Sequence, residues 1–166
     1  MKKEMVSSRY LPNGPALQKI TLSSWLTKNL IIEIISSLLI ILFIYSSLTK
    51  LLDYDRFTVQ LSKSPFITSF SNFVAWSIPT SEILIALCLA FKRTRLIGLY
   101  ASFFLMSLFT AYLIIMLNFS YYIPCSCGGV LEKLSWDQHI LFNSFFILIA
   151  GLGVILKTDH TKNIYA

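Results

Sequence analysis

The sequence predicts an all-α membrane protein, a single antiparallel bundle of four transmembrane helices with both termini in the cytoplasm. Three observations carry that prediction. Of the 166 residues, 55% are hydrophobic and 13% charged, and the mean hydropathy is +0.69. A soluble domain carries roughly 45–50% apolar and about 25% charged residues, and a chain this short has too much surface to hide the excess in one aqueous core. Second, four apolar runs are each long enough to cross about 30 Å of hydrocarbon, which takes about 20 helical residues. Third, the Lys and Arg residues fall in short clusters between those runs. That is the positive-inside pattern of a membrane protein. It argues against a nucleic-acid footprint despite the net charge of +6. A soluble globular protein, a disordered tail and a disulfide-dense secreted scaffold are excluded.

Taken in order, residues 1–28 read as a cytoplasmic tail. Lys2, Lys3, Arg9, Lys19 and Lys28 are spread through it, and no apolar stretch precedes Leu30. It lacks the form of a cleaved signal, so the first span is expected to stay as an anchor. That span runs from Leu30 to Leu48. Its one charge, Glu33, lies near an end and can snorkel to the interface, a structural role. The second span, Phe73 to Phe91, holds Pro79 and Glu82. The third, Leu96 to Leu117, has no charge, and the fourth, His139 to Leu156, has Gly151 and Gly153 in its second half. Residues 29–156 thus form one membrane domain, and 157–166 a second cytoplasmic tail.

Orientation follows from the basic residues. Ten sit on the side of the two tails and the turn Lys92, Arg93 and Arg95, against four (Lys50, Arg56, Lys63, Lys133) on the other. The loops 49–72 and 118–138 should therefore face the periplasm of a bacterial-type inner membrane. Trp76, Tyr121, Tyr122 and Trp136 read as an interfacial aromatic belt. The stretch Phe91–Arg95 is too short for anything but a tight helical hairpin.

There are three cysteines. Cys88, near the cytoplasmic end of the second span, is roughly 20 Å below the other two along the helix. It cannot meet a disulfide's Cα separation of less than about 7 Å and reads as a small apolar side chain. Cys125 and Cys127 lie in Pro124-Cys125-Ser126-Cys127-Gly128-Gly129, just past the third span. Pro124 fixes φ on one side and the two glycines free the backbone on the other. A bridge across one intervening residue should be strained, and strained or exposed disulfides are the exchangeable ones. Three readings stand: thiol–disulfide exchange with a partner, a static disulfide in a subunit that anchors or assembles a secreted protein, and Cu(I) handling by two thiolates. Zinc would need four ligands, and only His139 is at hand as a third.

Exchange needs a thiolate and a group to take its proton. His139 and Asn143 are four residues apart, so they share a helix face; His139 is either that group or an interfacial residue that starts the span. Asp137 and Gln138 stand beside it, Asp137 where a helix N-terminus favours negative charge. Glu82 sits mid-span. An intramembrane carboxylate faces the bundle interior and finds a partner. Its readings are a proton relay, part of a quinone-like pocket, or a hydrogen bond that fixes packing. Pro79 frees the carbonyl of Ala75, which Thr80 or Ser81 are placed to satisfy.

These segments resemble a known family. Lys50–Pro65 looks like the first outer loop of DoxX-like membrane proteins. Ile78-Pro79-Thr80-Ser81-Glu82-Ile83-Leu84 resembles their second span, with a proline shortly before a glutamate. Pro124–Gly129 matches the Cys-x-Cys of the MauE branch, named for methylamine utilisation. Leu131–Trp136 with His139 and Asn143 resembles the continuation found in some members. The resemblance covers about residues 29–156. It implies a four-span redox-associated protein acting with a thioredoxin-like periplasmic partner in disulfide handling. Some DoxX relatives are linked to quinone and thiosulfate chemistry, so a quinone is the one cofactor it brings into view. The site residues expected on this reading are Cys125, Cys127, His139 and Glu82.

Overall fold

The computed structural model describes residues 15–63, 70–119 and 135–165, with the side chains of those between 27 and 159. Among the described residues there are five helices: α1 (Pro15–Leu52), α2 (Tyr54–Ser62), α3 (Ser71–Ala90), α4 (Arg95–Phe119) and α5 (Trp136–Tyr165). Four stretches are long and apolar enough to cross a membrane: Thr27–Leu52, Ser71–Ala90, Arg95–Phe119 and Trp136–Asp159. No strand occurs among the described residues. The chain is a multi-pass helical membrane bundle, as its composition predicts. Most spans outrun their apolar runs by a few residues, because in hydrocarbon the backbone must satisfy its own hydrogen bonds. The tails are helical too, back to Pro15 and on to Tyr165.

The packing inverts the pattern of a soluble protein. Large apolar side chains such as Leu30, Ile41, Phe73, Phe104, Leu141 and Leu148 are exposed on the surface, whereas Ser36, Ser47, Lys50, Glu82, Arg95, Ser102, Thr110, His139 and Asn143 are buried. Lipid tails solvate the first group, and the second can be satisfied only inside. Ser36, Ser102 and Thr110 donate to the carbonyls of Ile32, Gly98 and Met106 on their own helices. An apolar core fills the remaining interior: Ile35, Leu39 and Phe43 of α1 meet Ile85, Ala86 and Leu89 of α3, Leu99 and Met106 of α4, and Ala150 of α5.

Three local features depart from the sequence reading. The segment 49–72 is not a plain loop: α1 runs on to Leu52, and α2 is a nine-residue amphipathic helix. Its Phe57 and Leu61 are buried against Ala75 of α3, and the rings of Tyr54 and Trp76 lie 6.0 Å apart. Trp76 is otherwise exposed; Tyr121 and Tyr122 lie outside the described residues. Next, Thr80 donates to the Trp76 carbonyl and Ser81 to that of Ile78, so these bonds do not serve the carbonyl of Ala75. Third, Arg95 is not a free loop cation. It is the first residue of α4 and 7% exposed.

Arg95 holds the hairpin end of the bundle together. Its Nε donates to the carbonyl of Leu89, and its guanidinium bridges to Glu33 of α1 at 2.7 and 3.4 Å. Two donors in a fixed fork suit a carboxylate, and a cation is favoured at the carbonyl end of α3. Thr94 caps the same end by donating to the carbonyl of Cys88 at 2.9 Å. Cys88 itself is a half-buried free thiol. Glu33 keeps a structural role near the bundle end, now with a named partner.

The hairpin closes because Gly98 has no side chain. A Cβ there would lie 2.9 Å from both the backbone nitrogen and Cγ of Leu89. A Cβ at Gly151 would meet only the Phe103 ring, at 3.6 Å or beyond. Gly98→Ala should therefore force α3 and α4 apart and cost about 1–3 kcal/mol, whereas Gly151→Ala should change stability little. Unfolding of the two purified variants in detergent, against the parent, checks the contrast.

Candidate functional site

Four helices send side chains to one small chamber. Ser46 and Lys50 are four apart on α1, so both face α3. Glu82 comes from the middle of α3, three residues past Pro79. Leu105, Met106 and Phe109 come from α4, and His139 and Asn143 from α5. The start of α5 is set by a reciprocal cap. The Ser135 backbone N–H donates to Gln138 Oε1 at 3.1 Å, and the Gln138 N–H donates to Ser135 Oγ at 3.4 Å. This Ser-x-x-Gln box, with the His139 N–H bonded to the Ser135 carbonyl, places His139 in the first turn and aims it inward.

The charges at the centre are paired. Lys50 Nζ lies 2.6 Å from Glu82 Oε1 and donates to Ser46 Oγ at 2.6 Å. Ser46 Oγ in turn donates to the same carboxylate oxygen at 3.0 Å. Both charged side chains are at most 4% exposed. The Phe109 ring stands 5.4 Å from the ammonium, close enough for a cation–π contact. The second carboxylate oxygen, Glu82 Oε2, is buried and has no hydrogen-bond partner among the described residues. The cavity beside it measures about 30 Å³, room for a water.

Of the residues expected at the site, Glu82 and His139 are brought together, and Asn143 lines the same chamber. Cys125 and Cys127 lie outside the described residues, in the segment between Phe119 and Ser135. His139 is 2% exposed and packed within the bundle. Lys50, counted above as a loop cation, belongs instead to the chamber. Its spacing of four from Ser46 on a long apolar run is the signal that could have found it, since a mid-span carboxylate requires a cation or donor.

Among the described residues no three His, Cys, Asp or Glu side chains gather to hold a metal ion. A quinone ring does not fit the chamber, because a benzene-sized guest needs about 150 Å³. An apolar slot of about 300 Å³ shares Leu105 and Phe109 with it.

The sequence model of a family described as Methylamine utilisation protein MauE matches residues 28–156. No curated protein and no solved structure matches the chain.

The ion pair sets a stability prediction. Lys50→Met strands the Glu82 carboxylate, and Glu82→Leu strands the Lys50 ammonium; each should cost about 3–5 kcal/mol. The double variant should recover most of that loss, since an apolar pair replaces a compensated one. A double-mutant cycle of unfolding in detergent measures the coupling.

Proposed function

Because the chain belongs to the MauE family of methylamine utilisation proteins, matched across all four spans, we propose that it exchanges disulfides with a thioredoxin-like periplasmic protein through Cys125 and Cys127. The observation that carries this reading is the convergence of His139 and Glu82 on one water-sized chamber. His139 opens the helix that follows the cysteine loop. In sequence Cys127 precedes His139 by twelve residues. In this topology both tails are cytoplasmic and the spans alternate in direction.

The exchange needs no further reagent. The thiolate of one cysteine attacks a disulfide sulfur of the partner, and the partner's second sulfur leaves as a thiolate. A mixed disulfide results. The other cysteine of the pair then attacks it, closes the Cys125–Cys127 bond and releases the partner as a dithiol. The partner is reduced and the pair oxidised; run backwards, the same bonds oxidise the partner. The two reduction potentials set the direction. His139 takes the proton from the attacking thiol and returns it to the leaving thiolate. Glu82, one oxygen held by Lys50 and Ser46, presents its other oxygen to the chamber as a proton-accepting station.

Cys125→Ser or Cys127→Ser should trap a mixed disulfide with the partner, seen as a reducible adduct on a gel. Full activity of both single variants in a thiol-oxidation complementation assay would sink the exchange role. An impermeant maleimide added outside intact cells after mild reduction should label both cysteines; labelling only from the cytosol overturns the topology. His139→Gln should slow exchange about a hundredfold or more, the usual worth of a positioned acid–base group, while leaving maleimide access intact. In glutathione buffers the pair should titrate, whereas a purely structural bridge would stay oxidised below about −300 mV.

A further inference from the structure

The packing order of the helices leaves a polar gap inside the bundle. Helix α3 packs chiefly on α1 and α4, and α5 on α4 and α1, so α3 and α5 stand diagonally opposite. Glu82 from α3 and His139 and Asn143 from α5 nevertheless line one chamber. All three are buried. The chamber measures about 30 Å³, enough for a single water. Polar groups on two diagonal helices therefore face a space that a water can bridge.

Three features fix the occupant. Lys50 and Ser46 spend their bonds on Oε1 of Glu82. Oε2, buried and without a hydrogen-bond partner among the described residues, therefore calls for a donor. Lys50 and Glu82 already neutralise each other, so a small cation would add an uncompensated charge at depth. A buried water needs several polar partners, and Glu82 with His139 and Asn143 supplies them from both helices. We infer that the chamber holds one internal water that donates to Glu82 Oε2, with Asn143 as the positioning residue that holds it against α5. The water ties the two diagonal helices together. In the thiol exchange proposed above, on which this further role rests, it also carries a proton inward. His139, protonated by the attacking thiol, gives that proton to the water as one of the water's own protons passes to Oε2. The water is regenerated, the imidazolium becomes neutral and the carboxylate becomes a carboxylic acid.

Millisecond X-ray radiolysis of the full-length protein in phosphatidylcholine nanodiscs, in heavy-oxygen water, tests occupancy. Hydroxyl radicals born from a bound water oxidise the side chain beside it, and mass spectrometry locates the heavy oxygen. Two matched pairs read the result. Met106 and Phe43 line the chamber, whereas Met116 and Phe57 are buried but do not line it. Met106 and Phe43 should gain heavy oxygen several-fold faster than Met116 and Phe57. Removing the acceptor in the Lys50→Met, Glu82→Leu double variant, or filling the space with Asn143→Leu, should abolish that difference. Asn143→Ser, which keeps the room and a hydroxyl, should retain it. Equal labelling within each pair in the parent, or a difference that survives either change, overturns the inference. The Cys125→Ser, Cys127→Ser double variant should label as the parent does, so occupancy is judged apart from thiol exchange. Asn143→Leu should also slow exchange several-fold, and Asn143→Ser should restore most of the rate. Loss of labelling with exchange unchanged overturns the proton-carrying role.

Discussion

The buried pair of Lys50 and Glu82 is the constraint around which the bundle is organised. Two charges 2.6 Å apart and almost fully removed from solvent are tolerable in a membrane only as a compensated unit. Holding them together fixes the rotation of α1 and α3 about their own axes. Once Ser46 and Lys50 face α3, the opposite face of α1 must turn to lipid, and Ile41, Ile44 and Leu48 are indeed exposed. The same constraint leaves one carboxylate oxygen unspent, and the chamber forms around it.

A second ion pair, Arg95 with Glu33, does comparable work at the hairpin end, though Glu33 is half exposed there. The two pairs differ in consequence. Arg95 uses its fork on a carboxylate and a backbone carbonyl, which closes off the end of α3. Lys50 and Ser46 spend their bonds on a single oxygen of Glu82, which leaves the other to interact with whatever enters. One pair latches the hairpin end, and the other leaves a buried carboxylate oxygen facing the chamber. The start of α5, set by the Ser135–Gln138 cap, brings His139 to that same chamber.

Membership of the MauE family and the four apolar helices make this a membrane protein linked to methylamine utilisation. Glu82 and His139, from two different helices, line one small chamber. An apolar slot shares Leu105 and Phe109 with that chamber.

What the sequence determined by itself was the fold class, the four spans and the residues that had to turn inward. Those follow from local rules. Twenty apolar residues span a bilayer, a mid-span carboxylate such as Glu82 must be buried, and His139 and Asn143 must share a face because helical residues four apart do. The Ser135–Gln138 cap is a four-residue motif, yet the apolar run starts only at His139 and the cap emerges with the structure. Partnership was not legible. Lys50 looks like a loop cation until α1 is seen to extend to Leu52 and turn toward Glu82, and Arg95 looks like a turn residue until Glu33, 62 positions away, closes on it. Helix α2 was hidden because nine residues carry too weak a periodic signal without the groove on α3 that receives them. Charge pairing and cavity shape are relations between helices distant in sequence, so only the packed bundle could decide them.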